Sequence, residues 1–203
     1  MTRATEQQRP DVQQARREFR AAQDLGLLEP GRLVFIDETA ATTNMDRRYG
    51  RAPVGERLVA DVPQGHYKRT TLVSALRSDG LGCAMTIDGS MTGDLFVAYV
   101  EQVLVPTLKA GDVVLLDNLS AHKRAEARAA VEAAGCSLIF LPPYSPDLNP
   151  IENAYSKLKA MLRRAKVRTV EGLRSFLFAA VADFEPQECA NFFEHCGYSA
   201  TPT

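Results

Sequence analysis

Val113-Val114-Leu115-Leu116-Asp117 is a run of four apolar residues closed by a carboxylate. Its length and its β-branched start make it a buried strand that delivers an acid at its end. Leu33-Val34-Phe35-Ile36-Asp37 repeats the pattern upstream. Downstream, 34 residues separate Asp117 from Glu152, which stands in Pro150-Ile151-Glu152-Asn153, just inside a helix start. Three carboxylates carried by separate rigid elements to one end of a sheet can hold a pair of hard divalent cations. Such ions take oxygen ligands and need only a few carboxylates beside water and substrate phosphates. A pair of them suits phosphodiester chemistry.

Outward from 113–117 the chain alternates. Residues 123–134 predict a helix closed by Gly135, and 137–141 a further strand. On the other side, 70–77 and 81–87 predict a hairpin turning at Ser78-Asp79-Gly80. Thr92 caps a helix whose apolar positions are Phe96, Val97, Val100, Val103 and Leu104. A proline-rich turn over 142–150 precedes a helix at 151–166, and two more helices are expected at 170–183 and 186–196. Residues 7–28 read as a short amphipathic helix ending near Gly26. Residues 38–69 are rich in Arg, Gly, Pro and Thr, with only a weak strand at 56–62. A long irregular stretch beside a suspected site is more often functional than idle. A hairpin-linked group followed by βαβ crossovers implies an α/β fold, a mixed five-stranded sheet with helices on both faces. Asp37 and Asp117 become neighbours if the first and fourth strands pair centrally.

At 203 residues, 45% apolar and 24% charged, the chain has the make-up of one globular domain. Its 24 basic and 25 acidic residues give a net charge of −1, so nucleic acid could be met only through local patches. Three exist: Arg47, Arg48 and Arg51; His66, Lys68 and Arg69; and the stretch 153–168, with Lys157, Lys159, Arg163, Arg164, Lys166 and Arg168 and no acid. Each alone reads as a solvated face; together they bracket the carboxylates. Cys83, Cys136, Cys189 and Cys196 form no CxxC pair, and with His195 they match no common zinc spacing. No stretch approaches membrane-spanning length and no signal peptide is visible, so a cytoplasmic location is expected, at the nucleoid if DNA is the partner.

Phe35-Ile36-Asp37-Glu38, Leu115-Leu116-Asp117-Asn118-Leu119-Ser120-Ala121-His122 and Leu141-Pro142-Pro143-Tyr144-Ser145-Pro146-Asp147-Leu148-Asn149-Pro150-Ile151-Glu152-Asn153 together resemble the DDE transposases of bacterial insertion sequences related to mariner elements. The likeness runs from about residue 32 to 198, and the 34-residue spacing is the one that branch shows. The resemblance implies a ribonuclease-H-like fold. It gives catalytic and metal-ligating roles to Asp37, Asp117 and Glu152, with two Mg²⁺ or Mn²⁺ ions as cofactors. It further implies cleavage of double-stranded DNA at transposon ends, then attack of the freed 3′-hydroxyls on target DNA, in this branch usually at TA. A homodimer in a synaptic complex is implied as well.

Each candidate also has a plainer reading. Glu152 follows Asn149 by three residues with Pro150 at the first helical position, a capping-box arrangement. Asp37 and Asp117 suit turns or caps after strands. Glu38 points to the opposite face by strand alternation and stands outside the triad. His122 either touches phosphate or a metal-bound water, or caps and packs. His66, Lys68, Arg69, Lys157, Arg163 and Arg164 either contact DNA, as Arg47, Arg48 and Arg51 would, or face solvent. Tyr144 stacks or packs beside the site.

Relatives carry two small helix-turn-helix units ahead of the catalytic domain, whereas 36 residues precede Asp37 here. The expected organisation is a helical linker segment over 1–30 and a catalytic domain over 31–203 without the recognition module, the chain being the downstream product of a split gene joined by frameshifting or fusion, a truncated remnant, or an isolated domain. Two alternatives stand beside strand transfer: a nuclease of the same fold, and a truncated non-catalytic DNA-binding or inhibitory fragment.

Overall fold

A computed structural model of the protein describes residues 5–47, 49–59, 61–63, 65–118 and 122–199. Strands β1 (Leu33–Thr42), β2 (Arg69–Arg77), β3 (Gly80–Asp88), β4 (Val113–Leu116) and β5 (Ser137–Phe140) form one sheet in the order β3-β2-β1-β4-β5. β1–β2 and β2–β3 are antiparallel, whereas β1–β4 and β4–β5 are parallel. Connectivity explains the change. A tight turn joins β2 to β3 and must reverse the chain, while a helix joins β4 to β5 and returns it in the same direction. The helices are α1 (Pro10–Asp24), α2 (Gly93–Tyr99), α3 (Ala125–Ala133), α4 (Pro150–Ala165), α5 (Val170–Ala182) and α6 (Pro186–His195). The expected mixed five-stranded sheet with helices on both faces is the one that forms.

Alternation along β1 sorts its side chains into two cores. Leu33 and Phe35 pack with Tyr155, Leu158 and Leu162 of α4, Leu177 of α5 and Phe193 of α6. Val34 and Ile36 pack with Phe96 and Tyr99 of α2 and with Ala127 and Val131 of α3. All four β1 residues are at most 2% exposed, and burying each contributes about 1.5–3 kcal/mol. Helices on both sides are therefore the reason this run is uninterrupted rather than alternating. The same period carries Asp37 onto the α4 face and Glu38 onto the α2–α3 face.

Local signals set the helix ends. Thr92 Oγ1 accepts from the Leu95 amide at 3.3 Å, and α2 continues past Tyr99 as a π-helical turn, Val100–Leu104. Pro150 opens α4, and Lys166, left-handed at φ 52°, closes it. Among the described residues, 56–62 form no strand. Leu58, Val59 and Val62 are exposed, and β-propensity is realised only against neighbouring strands and a buried face. α1 ends short of Gly26, whose φ is 68°. It lies against the domain, with Val12 buried and Phe19 edge-on to Tyr198 at 6.5 Å.

Candidate active site

Ile36 of β1 pairs with Leu116 of β4, so the next residue on each chain, Asp37 within β1 and Asp117 just past β4, stands at the same level. Glu152 arrives from a third element, exposed in the first turn of α4. Asp37 registers the convergence. Burial, then the charges of Glu152 and Asp117, push its carboxyl from 3.8 up to about 7 against the pull of the Glu38 amide and His122.

Asp37 is 9% exposed and held by neutral donors. Its Oδ1 accepts from the Glu38 amide at 2.7 Å, and its Oδ2 accepts from Asn149 Nδ2 at 2.8 Å. The buried hydroxyl of Tyr155 donates to the Asp37 carbonyl at 2.5 Å. A phenol has one proton, so Ser74, the cross-strand partner of Asp37, donates to the Tyr155 oxygen at 2.9 Å. The capping-box reading of Glu152 is corrected here. Asn149 makes no side-chain cap bond, because its amide has turned to Asp37. Asn149 stood in the proline-rich motif as a helix cap, and Tyr155 lay one turn beyond Glu152 as an ordinary core residue of α4; neither carried a sequence signal for contact with Asp37.

On the other face, His122 is 2% exposed and bridges two acids, its Nδ1 2.6 Å from Asp117 Oδ1 and its Nε2 2.8 Å from Glu38 Oε1. Burial alone would discharge it, but the bonds to Asp117 and Glu38 outweigh that and lift it to about 9. It is thus an imidazolium that donates from both nitrogens, its ring 4.6 Å from that of Phe96. A residue so enclosed has no surface to offer a phosphate, which removes His122 from the DNA contacts named above. Glu38 keeps the orientation that alternation assigned it, and its role as partner of His122 was not legible in the sequence.

Metal-ligand chemistry fits the site in type though not in ready-made form. Among the described residues no three potential ligands already close around one point. The donors are carboxylate oxygens, the choice of Mg²⁺ and similar hard cations. Asn149 Oδ1 lies buried beside them with no hydrogen-bond partner, and the raised carboxyl of Asp37 marks negative charge that a cation would relieve.

The basic candidates separate. Arg47, Arg51, Arg163 and Arg164 line one open cleft together with Lys159 and Tyr49. At about 1.5 Å per residue, Arg163 lies roughly 16 Å along α4 from Glu152, or about five base-pair steps of duplex. Lys166, which also lines the cleft, and Arg168 tether the irregular segment to the chain just past α4, at 3.3 and 2.7 Å from Asp46. Lys157 points elsewhere, paired with Glu188 and lying 4.6 Å over the ring of Phe184. His66, Lys68 and Arg69 are exposed just before and at the start of β2. Tyr144 is also exposed, as stacking would require. Arg48 lies outside the described residues, as do Leu119, Ser120 and Ala121.

The sequence profile of a family described as DDE superfamily endonuclease matches residues 32–174. No curated protein matches the chain. Among solved structures it is similar to a pre-cleavage Mos1 transpososome, with a TM-score of 0.74 at 14% identity over 97% of this chain and 63% of that one. The mariner Mos1 paired-end complex with Mg gives 0.73 at 16% identity, again over 97% and 63%. The catalytic domain of Mos1 mariner transposase gives 0.69 at 13% identity over 97% and 91%. The chain thus spans about three fifths of the transposase chains in those complexes. At such identities the likeness is one of fold, and that fold is the ribonuclease-H-like one.

Proposed function

Because the chain belongs to the DDE superfamily endonucleases, we propose that it is a transposase catalytic domain. Its reaction would be metal-dependent cleavage of double-stranded DNA at the ends of an insertion sequence, followed by joining of the freed 3′-hydroxyls to target DNA. The observation that carries this reading is the equal level of Asp37 on β1 and Asp117 just past β4, with the carboxyl of Asp37 pushed up to about 7 by burial and by the charges of Glu152 and Asp117.

In this reading the three carboxylates hold two Mg²⁺ or Mn²⁺ ions. When bound, such a pair supplies a water of lowered pKa and stabilises charge at phosphorus and on the departing oxygen. The residues of the chain supply the geometry. Asn149 fixes the rotation of the Asp37 carboxylate, while Tyr155 and Ser74 fix its backbone. The His122 imidazolium orients Asp117 through its Oδ1 and offsets the charge of Glu38. Arg47, Arg51, Arg163 and Arg164 follow the phosphate backbone along the cleft, and the exposed His66, Lys68 and Arg69 are further candidates for DNA contact. No covalent protein intermediate is required.

Assembly belongs to the same proposal. The similar structures are a paired-end complex and a transpososome, which supports a homodimer acting on two DNA ends. An upstream helix-turn-helix module would read the terminal repeats, and TA would be the target, both by resemblance to the mariner-related branch. No described helix is long and apolar enough to cross a membrane, in keeping with work on DNA in the cytoplasm.

The test is nicking of supercoiled plasmid by the purified chain in Mg²⁺ or Mn²⁺, beside Asp117→Asn. Nicking lost in the variant is the expected result, and equal nicking by both proteins would remove the triad from the reaction. Joining of labelled 3′-hydroxyl ends to a second DNA then separates strand transfer from cutting alone.

A further inference from the structure

We propose that α1 is a clasp on the loop that leads into the helix carrying the third carboxylate, and that Arg16 is the positioning residue of that clasp. The inference rests on the reading of Glu152 as a site residue. α1 lies ahead of residues 32–174, the stretch matched by the family profile, so the family match assigns it nothing.

The loop over 142–149 leads directly into α4 and is gripped from both sides. From α1, Arg16 Nη1 donates to Ser145 Oγ at 2.7 Å and to Asp147 Oδ1 at 2.9 Å, while its Nη2 donates to Asp147 Oδ2 at 2.7 Å. Arg20 adds a bond to the same Oδ2 at 3.0 Å, and Gln7 Nε2 donates to the Tyr144 carbonyl at 2.5 Å. From the C-terminal side, the Tyr198 hydroxyl donates to the Leu148 carbonyl at 2.7 Å. Asn149, the next residue, bonds Asp37, and Glu152 follows within the first turn of α4. The loop also carries Tyr144 at φ 54°, a left-handed conformation that persists in a non-glycine residue only where its surroundings impose it.

The grip is polar. α1 buries only Val12 completely, and an open cleft lined by Arg16, Arg20, Tyr144 and Asp147 runs between it and the loop. A helix that adds so little to the core contributes chiefly through where its guanidinium fork sits. A two-pronged Arg–carboxylate bond fixes orientation as well as distance, and the Arg16 side chain is only 16% exposed. The fork at Asp147 therefore sets the path of the chain through Asn149 to Glu152.

Hydrogen–deuterium exchange and Mn²⁺ titration of the full chain test the clasp, using wild type, Arg16→Ala, Arg16→Lys, Asp147→Asn and the double variant of Arg16→Ala with Asp147→Asn. Arg16→Ala should speed exchange in peptides covering 144–153 by about tenfold and weaken Mn²⁺ binding about fivefold, with β1 and β4 as protected as before. Arg16→Lys, which keeps the charge but loses the fork, should fall between Ala and wild type. The double variant should lose less than the two single variants summed, because the Arg16–Asp147 fork is common to both while the Arg16–Ser145 and Arg20–Asp147 bonds are not. Unchanged loop exchange in Arg16→Ala overturns the clasp. Faster loop exchange with unaltered Mn²⁺ affinity overturns the positioning role. A wild-type chain that neither binds Mn²⁺ nor nicks DNA defeats the transposase reading instead, and the clasp then stands or falls on loop exchange alone.

Discussion

Two adjacent acids of β1 are held by different chemistry on the two faces of the sheet. On the α4 face, Asp37 meets only neutral donors, an amide side chain and a backbone N–H, with a phenol on its own carbonyl. On the α2–α3 face, Glu38 meets the His122 imidazolium. Neutral donors orient a carboxylate without cancelling its charge, so the carboxyl of Asp37 is pushed up to about 7 by burial and by the charges of Glu152 and Asp117. Glu38 is turned to the face away from Asp37, and its Oε1 is taken up by His122 there. In Asp37-Glu38 it is therefore the first acid that is suited to a metal ion, although both have the same chemistry and nearly the same position.

Removing each acid in turn gives the largest contrast. Asp37→Asn should lower metal-dependent nicking about a thousandfold, since losing a ligand forfeits several kcal/mol of charge stabilisation. Glu38→Gln, which leaves the ligand set intact, should cost less than about tenfold. Equal losses in a plasmid-nicking assay would erase the distinction between the faces.

Titration sharpens it. Both Asp37 and His122 have folded values above their ordinary ones, about 7 against 3.8 and about 9 against 6.5. A raised group contributes stability below its unfolded value and loses it as pH rises through the folded one. In chelator, urea unfolding should thus show stability falling first between about pH 4 and 7 through Asp37, then between about 6.5 and 9 through His122. Each contributes a slope of at most about 1.4 kcal/mol per pH unit. Asp37→Asn should flatten the first window only, and His122→Gln the second only. Flattening of both windows by either variant would mean that the two faces titrate as one unit.

The smallest effect concerns the neutral side alone. Tyr155→Phe leaves the Asp37 carbonyl and Ser74 Oγ without their shared partner and should cost about 1–2 kcal/mol in urea unfolding. An unaltered midpoint would show that the phenol is not part of the support.

The sheet was legible because β4 and the first half of β1 are short apolar runs whose two faces are covered, leaving little alternative to a buried position, whereas the continuation of β1 from Glu38 to Thr42 lay hidden in the stretch read as irregular. The equal level of Asp37 and Asp117 followed from their place at the ends of those runs. The details around them were not legible, since they depend on competition in three dimensions. Asn149 and Glu152 have the spacing of a capping box, but the buried carboxylate of Asp37 takes the amide instead. His122 is polar and close to a suspected site, which fits a DNA contact as well as a buried bridge, and only its 2% exposure decides. Lys157 and Arg163 share one basic stretch of α4. The rotation of that helix turns the first toward Glu188 and Phe184 and the second toward the cleft. Residues 56–62 have strand-like composition, but their exposed side chains gain nothing from becoming a strand.

The parallel ladder of β1 and β4 also governs which changes of length the chain can absorb. Adjacent strands lie about 4.8 Å apart, and side chains change face at every residue. One residue inserted into 33–37 would therefore send Asp37 to the His122 side and bring the wrong neighbour opposite Asp117. Substitutions within the two strands alter packing by degrees, whereas an insertion or deletion there exchanges the faces outright. Growth and shrinkage of this chain are accordingly confined to segments such as 43–68, outside both strands, where an added residue leaves the spacing of the carboxylates untouched.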